Sequence, residues 1–188
     1  YKKKNIRVDG DKSLSIRFIL LSSLSKGKCV ATNMLKSEDV ISAIEIIKKL
    51  GIRIILKKDK CEVYGKGLFG YSYKKNLILN AGNSGTTARL LLSVLIDTKK
   101  KIKITGDCSL KKRDMNRIIV PLRKFGAKFK STKGKLPVYI KGSKLLRPIN
   151  YYENLGSAQC KSAVMIAALK TFGITNIKSL PSRDHTEI

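Results

Sequence analysis

The stretch SEDVISAIEIIKKLG (37–51) is matched 75 residues later by KRDMNRIIVPLRKFG (112–126), and this internal repeat decides the fold. The apolar residues that correspond are Val40 and Met115, Ala43 and Ile118, Ile44 and Ile119, Ile47 and Leu122, and Leu50 and Phe125. Their spacing of three or four predicts a helix with one buried face in each copy. Gly51 and Gly126 suit the left-handed position that ends such a helix.

The sequence around these two helices repeats as well. An apolar helix with a polar start is predicted to open each unit: SLSIRFILLSSLSKG (13–27), SGTTARLLLSVLI (84–96) and SAQCKSAVMIAALKTFG (157–173). Strand-like segments follow these helices: KCVATN (28–33), KIKIT (101–105) and GITNIKS (173–179). Further short strands are predicted at IRIILK (52–57), CEVYG (61–65), NLILN (76–80), AKFK (127–130) and LPVYIK (136–141). Asp184 then aligns with Asp39 and Asp114, at the start of a third copy of the second helix.

The predicted fold class is therefore α/β (α+β), built from repeated helix-strand-helix-strand-strand units with the helices inside and the sheets outside. We place the units at about 13–80, 81–150 and 151–188, and the third lacks its second helix, so we expect a truncated chain. Residues 1–12 are expected to form a strand or hinge that leads toward a second domain. A length of 188 residues fits one domain or two small ones.

Charge is the strongest feature of the composition. The chain has 40 Lys and Arg against 13 Asp and Glu, which gives a net charge of +27. Such an excess is typical of nucleic-acid-binding modules, and it also attracts small anionic substrates. The basic residues are spread along the whole chain, and the 7 tyrosines and 5 phenylalanines form no cluster with them. A basic nucleic-acid-binding module is therefore kept as an alternative, while small anions are the expected partners.

The remaining composition excludes other classes of protein. The four cysteines lie 32, 47 and 52 residues apart, which matches neither a zinc site nor a disulfide scaffold. Reduced thiols in a cytoplasmic location are therefore expected. A single histidine excludes a His-rich metal site, and we predict no metal and no cofactor. No apolar run approaches the roughly 18 residues of a membrane span, so we expect no membrane partner.

Polar residues concentrate at the predicted starts of the three opening helices. Unpaired backbone N–H groups and the positive end of the helix dipole favour a phosphate or carboxylate there. The residues are Lys12, Ser13 and Arg17 in the first unit, Gly82, Asn83, Ser84, Gly85 and Thr86 in the second, and Ser157, Gln159 and Lys161 in the third. Taken singly, the three serines also fit ordinary helix N-caps. Three such starts at equivalent places favour an anion-binding face.

At these same residues the chain resembles the 5-enolpyruvylshikimate-3-phosphate synthase family, in its N-terminal half. The matching motifs, in the family's order, are GDKSLSIR (10–17), NAGNSGTTARLL (80–91), GDCSLKKRDM (106–115), GSAQCKSA (156–163) and SRDHTE (182–187). The departures from the family pattern are Asp9 for Pro, Ile16 for His or Asn, Cys108 for Glu and Asp114 for Pro. An acidic Asp114 beside Arg113 could weaken the hold of that arginine on an anion.

The resemblance implies a fold of two domains, each built from three repeats, and an enolpyruvyl-transferase reaction. The enolpyruvyl group of phosphoenolpyruvate would move to the 5-hydroxyl of shikimate-3-phosphate, with release of phosphate. The implied partners are these two small molecules, with no nucleic acid, and the full-length enzyme would be a monomer.

The resemblance also implies roles for single residues. Lys12 would be catalytic and would contact both substrates. The implied shikimate-3-phosphate ligands are Lys12, Ser13, Arg17, Ser157, Ala158, Gln159 and Arg183. The implied phosphoenolpyruvate ligands are Lys12, Asn83, Gly85, Arg113 and Gln159. His185 lies in the last motif. For this residue a functional role and a structural role are both left open.

The closest alternative is the related UDP-N-acetylglucosamine enolpyruvyl transferase. That family has a functional cysteine five residues before an arginine, and Cys108 has this spacing to Arg113. Its Lys-Asn opening is absent, because Ser13 follows Lys12. The sequence therefore favours the shikimate enzyme.

Overall fold

The structure is a computed structural model that describes residues 9–58 and 60–183. Its helices are α1 (Lys12–Leu24), α2 (Glu38–Lys49), α3 (Gly85–Val94), α4 (Cys108–Lys112), α5 (Asn116–Lys124) and α6 (Ala158–Ala168). Its strands are β1 (Lys26–Thr32), β2 (Arg53–Leu56), β3 (Lys60–Lys66), β4 (Ile78–Asn80), β5 (Ile102–Thr105), β6 (Lys128–Thr132), β7 (Lys135–Lys141), β8 (Asn150–Glu153) and β9 (Asn176–Ser179). In the described ranges no helix is both long and apolar enough to span a bilayer.

Within the described residues the strands form three separate sheets rather than one continuous sheet. The first is antiparallel with the order β1-β3-β2, and the second is mixed with the order β4-β5-β7-β6. The third pairs β8 with β9 in parallel. Three small sheets agree with a fold made of repeated units.

The helices occupy the interior and the sheets lie outside. In α3 every residue from Thr87 to Val94 is buried, and so is every residue from Cys160 to Val164 in α6. Strand β7 alternates instead, with Leu136, Val138 and Ile140 buried and their neighbours more exposed. Alternation of this kind is typical of a sheet with one face on the core and the other in water. The predicted inside-out α/β fold is confirmed.

The apolar face predicted from the internal repeat is confirmed. All ten corresponding apolar residues of the two copies are at most 2% exposed. Gly51 and Gly126 follow the helices with φ of +85° and +108°, which is the left-handed region where glycine has no steric penalty. Periodicity and helix-ending glycines therefore identified this part of the core.

The predicted helix at 112–126 is wrong at its beginning. Helix α4 ends at Lys112, Arg113 is extended with ψ of 143°, and α5 begins only at Asn116. The carboxylate of Asp114 accepts a hydrogen bond from the Asn116 backbone N–H at 2.9 Å, which favours a new helix start there. Arg113 therefore lies between the two helices rather than inside one.

The strands that precede the opening helices belong to the following sheet. Strand β4 was predicted as the end of the first unit, yet it pairs in parallel with β5, Ile78 lying opposite Lys103. Strand β8, which periodicity did not predict, pairs in parallel with β9 in the same way. Parallel neighbours need a crossover connection, and α3 and α6 provide it.

Only residues 9–12 of the predicted strand or hinge at 1–12 lie within the described residues. Lys12 is the first residue of α1, so a strand or hinge there ends no later than Asp11. Residues 1–8, together with Asp184 and His185, lie outside the described residues.

Shortening Leu122 to alanine should lower the free energy of unfolding by about 2–5 kcal/mol, because this α5 side chain is fully buried and its loss leaves a cavity. The matched control is Val120→Ala on the same helix, where the side chain is 52% exposed and the change should stay below about 0.5 kcal/mol. Urea unfolding followed by circular dichroism measures both. Equal effects would contradict the assigned core face.

Candidate functional site

The three opening helices begin at equivalent positions of the repeat. Their N-caps are Asp11, Ser84 and Ser157, which are spaced 73 residues apart. Each side chain accepts a backbone hydrogen bond: Leu14 N to Asp11 Oδ1 at 2.7 Å, Thr87 N to Ser84 Oγ at 3.2 Å, and Cys160 N to Ser157 Oγ at 3.4 Å. The N-cap alternative is thus confirmed for Ser84 and Ser157 and wrong for Ser13, which is the second residue of α1.

Helices α3 and α6 run side by side in the same direction. Near their N-termini, Gln159 Nε2 donates to Thr86 Oγ1 at 3.0 Å. Just beyond their C-termini, the Lys170 ammonium forms an ion pair with Asp97. Contacts at both ends place the two N-termini next to each other, so their unpaired N–H groups and dipoles act on one region of the surface.

Helix α1 joins this arrangement through Arg17. The Arg17 side chain is 3% exposed, and its Nη2 donates to Ser162 Oγ of α6 at 3.3 Å. Its Nη1 donates to the Ser13 carbonyl oxygen at 3.4 Å. The guanidinium therefore ties the first turn of α1 to α6.

Lys12 is held at the edge of the same face. Its Nζ lies 3.0 Å from Asp39 Oδ2, and 52% of the Lys12 side chain is exposed. Asp39 lies in the first turn of α2. In the sequence, Asp39 serves only to align the repeats, and the structure shows it as the counterion of Lys12.

Arg113 reaches the start of α3 from the loop between α4 and α5. Its Nη2 donates to Asn83 Oδ1 at 2.7 Å. A Cβ on Gly85 would lie 3.1 Å from Arg113 Nη1 and 3.3 Å from Arg89 Nη1, so two guanidinium groups approach the bare backbone there. Among the described residues, the Asp114 carboxylate bonds the Asn116 N–H rather than Arg113. Whether the negative charge of Asp114 weakens the hold of Arg113 on an anion stays a prediction.

Arg89 is the main residue that the sequence analysis missed. It is 6% exposed, and its Nη1 donates to Gln159 Oε1 at 2.7 Å. Burial, with the nearby guanidinium groups of Arg117 and Arg113, lowers the pKa of Arg89 below its ordinary value. The sequence contains one indication that Arg89 is special, because it is the one charged residue in the predicted apolar helix 84–96.

The loop before α6 depends on Glu153, a second residue that was missed. Glu153 is fully buried at the end of β8. Its Oε2 accepts from the Ser157 N–H at 3.0 Å and its Oε1 from the Leu155 N–H at 2.9 Å. The carboxylate thus fixes the chain where α6 begins, which positions Ala158 and Gln159 in the first helical turn.

Not every predicted site residue joins the cluster. Arg183 is exposed after β9, and within the described ranges no hydrogen bond or ion pair links it to the other site residues. Cys108 is a free, exposed thiol at the first residue of α4. The described residues contain no group of three or more His, Cys, Asp or Glu that could hold a metal ion.

The arrangement is suited to bind anions. Three helix N-termini lie beside cationic side chains, and each exposed N-terminus stabilises a nearby anion by about 0.3–1 kcal/mol. Arginine adds paired N–H donors that match a carboxylate or phosphate. The cationic side chains are Lys12, Arg17, Arg89 and Arg113.

The bridge between Arg89 and Gln159 should show energetic coupling. In a double-mutant cycle of Arg89→Met and Gln159→Met, we expect a coupling free energy of about 1.5–3 kcal/mol, because the hydrogen bond is charge-assisted and partly buried. The control cycle pairs Gln159→Met with Arg53→Met. Because Arg53 lies in strand β2 of the first sheet and does not bond Gln159, the coupling free energy of this pair should stay within about 0.5 kcal/mol. Urea unfolding measures all variants. Coupling in the control, or none in the test pair, contradicts this arrangement.

Comparison with known proteins identifies the family. The family model described as EPSP synthase (3-phosphoshikimate 1-carboxyvinyltransferase) matches residues 2–188. A 3-phosphoshikimate 1-carboxyvinyltransferase of Caldicellulosiruptor saccharolyticus is 43% identical over 99% of this chain and 43% of its own length. The protein of the same name from Caldicellulosiruptor bescii is 45% identical over 98% of this chain and 43% of its own length.

A solved structure agrees with the sequence matches. The EPSP synthase of Acinetobacter baumannii superposes with a TM-score of 0.91 at 38% identity, over 97% of this chain and 42% of that protein. The chain therefore spans well under half the length of the relatives that it matches. On the family match, the sequence identity and the shared fold, the chain belongs to the EPSP synthase family.

Proposed function

We propose that this chain supplies the shikimate-3-phosphate-binding part of an enzyme that transfers the enolpyruvyl group of phosphoenolpyruvate to the shikimate 5-hydroxyl. The observation that carries the proposal is the convergence of the N-termini of α1, α3 and α6 on one face with Lys12, Arg17, Arg89 and Arg113. Family membership supplies the reaction class. For the full-length enzyme we infer a cytoplasmic monomer that has no nucleic-acid or membrane partner.

The charges of the two substrates fit this face. Both molecules carry a carboxylate and a phosphate, so their binding requires cations and N–H donors at several separate points. Helix N-termini provide fixed donors that need no reorganisation when an anion arrives. Arginine side chains that are already held by hydrogen bonds lose little further freedom on binding.

Shikimate-3-phosphate would be held by the starts of α1 and α6. Ser157 accepts the capping hydrogen bond through an oxygen lone pair, which leaves its own hydroxyl hydrogen able to donate to a phosphate. Ala158 and Gln159 present backbone N–H groups that have no partner inside the helix, because they lie in its first turn. Ser13 adds a hydroxyl and Arg17 a positive charge. We place Arg183 at the shikimate ring on the family resemblance alone.

Phosphoenolpyruvate would be held by the start of α3. Asn83 fixes the Arg113 guanidinium at 2.7 Å, and Gly85 presents its N–H without a side chain in the way. Gln159 is fixed by Arg89 and Thr86 from both sides of its amide. These groups would bind the anionic ends of the substrate, while Lys12 lies beside them.

Lys12 is the residue that we propose as catalytic. The reaction requires protonation of the methylene carbon and attack by the 5-hydroxyl, which gives up its own proton, to form a tetrahedral ketal. Phosphate then leaves together with a proton from the new methyl group, which restores the carbon–carbon double bond. A half-exposed ammonium paired with Asp39 can exchange this carboxylate for the substrate phosphate and neutralise it as it leaves. Since the chain spans 43% of its relatives, we assign the remaining acid and base groups to the part of the family fold that it does not cover.

The UDP-N-acetylglucosamine enolpyruvyl transferase is the weaker alternative. The exposed thiol of Cys108 is accessible to reagents, as that alternative requires. The family match and the names of the relatives favour the shikimate enzyme instead. Alkylation of Cys108 distinguishes them, because only the alternative requires this thiol for turnover.

The 188-residue chain should bind shikimate-3-phosphate weakly, with an affinity that falls as salt is added, because the contacts are ionic and near the surface. Isothermal titration calorimetry at low and high salt measures this affinity. Lys12→Met should weaken binding by about tenfold, the effect of losing one charge-assisted hydrogen bond. The control Lys49→Met removes an exposed lysine at the end of α2 and should change little. Equal weakening by both would indicate attraction by the overall charge alone.

Turnover should require Lys12 when the chain is placed in a complete enzyme. In a chimera, this chain replaces the matching 43% of the Caldicellulosiruptor bescii relative. Phosphate release from phosphoenolpyruvate and shikimate-3-phosphate should then be measurable, and Lys12→Met should reduce it by at least about a hundredfold. Lys49→Met serves as the control for expression and folding. Near-normal turnover of a folded Lys12→Met chimera would overturn the catalytic role.

A further inference from the structure

The Lys12 ammonium of the candidate site is paired with the carboxylate of Asp39. The two charged groups lie 3.0 Å apart, and the exposed fractions of the two side chains are 52% and 21%. Ion pairs that are open to water are weak, because water can solvate both charges instead. The pair can therefore open when another anion reaches Lys12.

The backbone segments that carry these two side chains are held together by other contacts. The loop between β1 and α2 packs on the start of α1, where the Leu35 N–H donates to Ser15 Oγ at 3.1 Å. A Cβ on Gly10 would lie 2.1 Å from the Asn33 carbonyl oxygen, so the two segments approach at a point that has no room for a side chain. Removing the charge of Asp39 should therefore leave the first turns of α1 and α2 in place.

Asp39 lies on the side of α2 that faces the start of α3. Ser42, three residues further along α2, is its neighbour on the same side of that helix. A Cβ on Gly82 would lie 3.1 Å from Ser42 Oγ, so this side of α2 packs near the loop that precedes α3. Asp39 therefore holds the Lys12 ammonium near the region where the N-terminus of α3 favours an anion.

A carboxylate at this place competes with a phosphate for Lys12. Both anions would use the charge and the N–H donors of the same ammonium. The first turns of α3 and α6 contain no acidic residue, whereas the first turn of α2 contains Glu38 and Asp39. Glu38 is exposed, and Asp39 is the one of the two that pairs with Lys12. Asp39 therefore occupies the ammonium that an incoming phosphate would need.

We propose that Asp39 is a positioning residue that takes the place of the phosphate on Lys12 in the empty site. It keeps the ammonium beside the start of α3, gives it up when a substrate phosphate binds, and takes it back when phosphate leaves. Only ionic contacts are exchanged, and no proton is transferred. This inference rests on the proposed function in one respect, namely that Lys12 binds the substrate phosphate.

The test compares Asp39→Asn with Glu38→Gln, because each variant removes one negative charge from the first turn of α2. The probe is inorganic phosphate, and amide chemical shifts at the starts of α1 and α3 of the ¹⁵N-labelled chain measure its affinity. Asp39→Asn should tighten phosphate binding about two- to fivefold, which corresponds to the loss of one exposed ion pair. Glu38→Gln should change the affinity by less than about 1.5-fold, because water and salt screen this exposed charge. Asp39→Glu, which keeps the carboxylate, should bind phosphate like the unchanged chain.

Double variants show whether the effect passes through Lys12. In the Lys12→Met background, Asp39→Asn should change the phosphate affinity no more than Glu38→Gln does. A tightening that persists without Lys12 would overturn the proposal, because it would indicate a general charge effect. Equal effects of Asp39→Asn and Glu38→Gln, or no tightening by folded Asp39→Asn, would overturn it as well.

The chimera with the Caldicellulosiruptor bescii relative separates this inference from the proposed function. Isothermal titration calorimetry of the chimera with inorganic phosphate should give the same two- to fivefold tightening for Asp39→Asn. Turnover by the unchanged chimera without this tightening would overturn the role of Asp39 and leave the proposed function standing. Tightening without any turnover by the unchanged chimera would contradict the proposed function and support the competition for Lys12.

Discussion

The partly buried hydrogen-bond bridge from Arg89 through Gln159 to Thr86 fixes the starts of α3 and α6 side by side, and the candidate site is built on that register. Because the two helices begin at the same level, the parallel pairs β4–β5 and β8–β9 form at equivalent places in the second and third sheets. The same register places two helix dipoles side by side with their positive ends at the same end of the pair. Arg17 then adds α1 to the group through Ser162. Fold and candidate site thus depend on the same interior contacts.

Local patterns in the sequence were sufficient for the core and for the positions of the helix starts. A buried helical face has a period that can be detected in one sequence, and the second copy of the repeat tested it independently. The capping roles of Ser84 and Ser157 could also be predicted locally, because each side chain bonds the backbone N–H only three residues further along the chain. Helix interiors and sheet exteriors followed from these elements, since each apolar face had to be covered by another element.

Contacts between distant parts of the chain could not be predicted in this way. The sequence separates Arg89 from Gln159 by 70 residues, and nothing near Arg89 shows that its charge is buried against that amide. Asp39 as counterion of Lys12 is a similar case, since it needs α1 and α2 to be packed first. The helix break after Lys112 was missed because residues 112–114 are all charged, so the apolar period, which starts at Met115, carries no information about them. Roles in substrate binding, finally, were implied by the family resemblance and not by periodicity.

The overall charge of +27 and the local geometry have different consequences for anion binding. A diffuse positive field accelerates encounter with any anion, and salt screens it over about 10 Å. Selection of one anion requires donors at fixed positions, which the starts of α3 and α6 supply on one side. At the other ends of the same helices the backbone carbonyls are the exposed groups, and Lys170 lies there as a paired cation. The dipoles of α3 and α6 therefore favour an anion at the starts of these helices and disfavour one at their C-terminal ends.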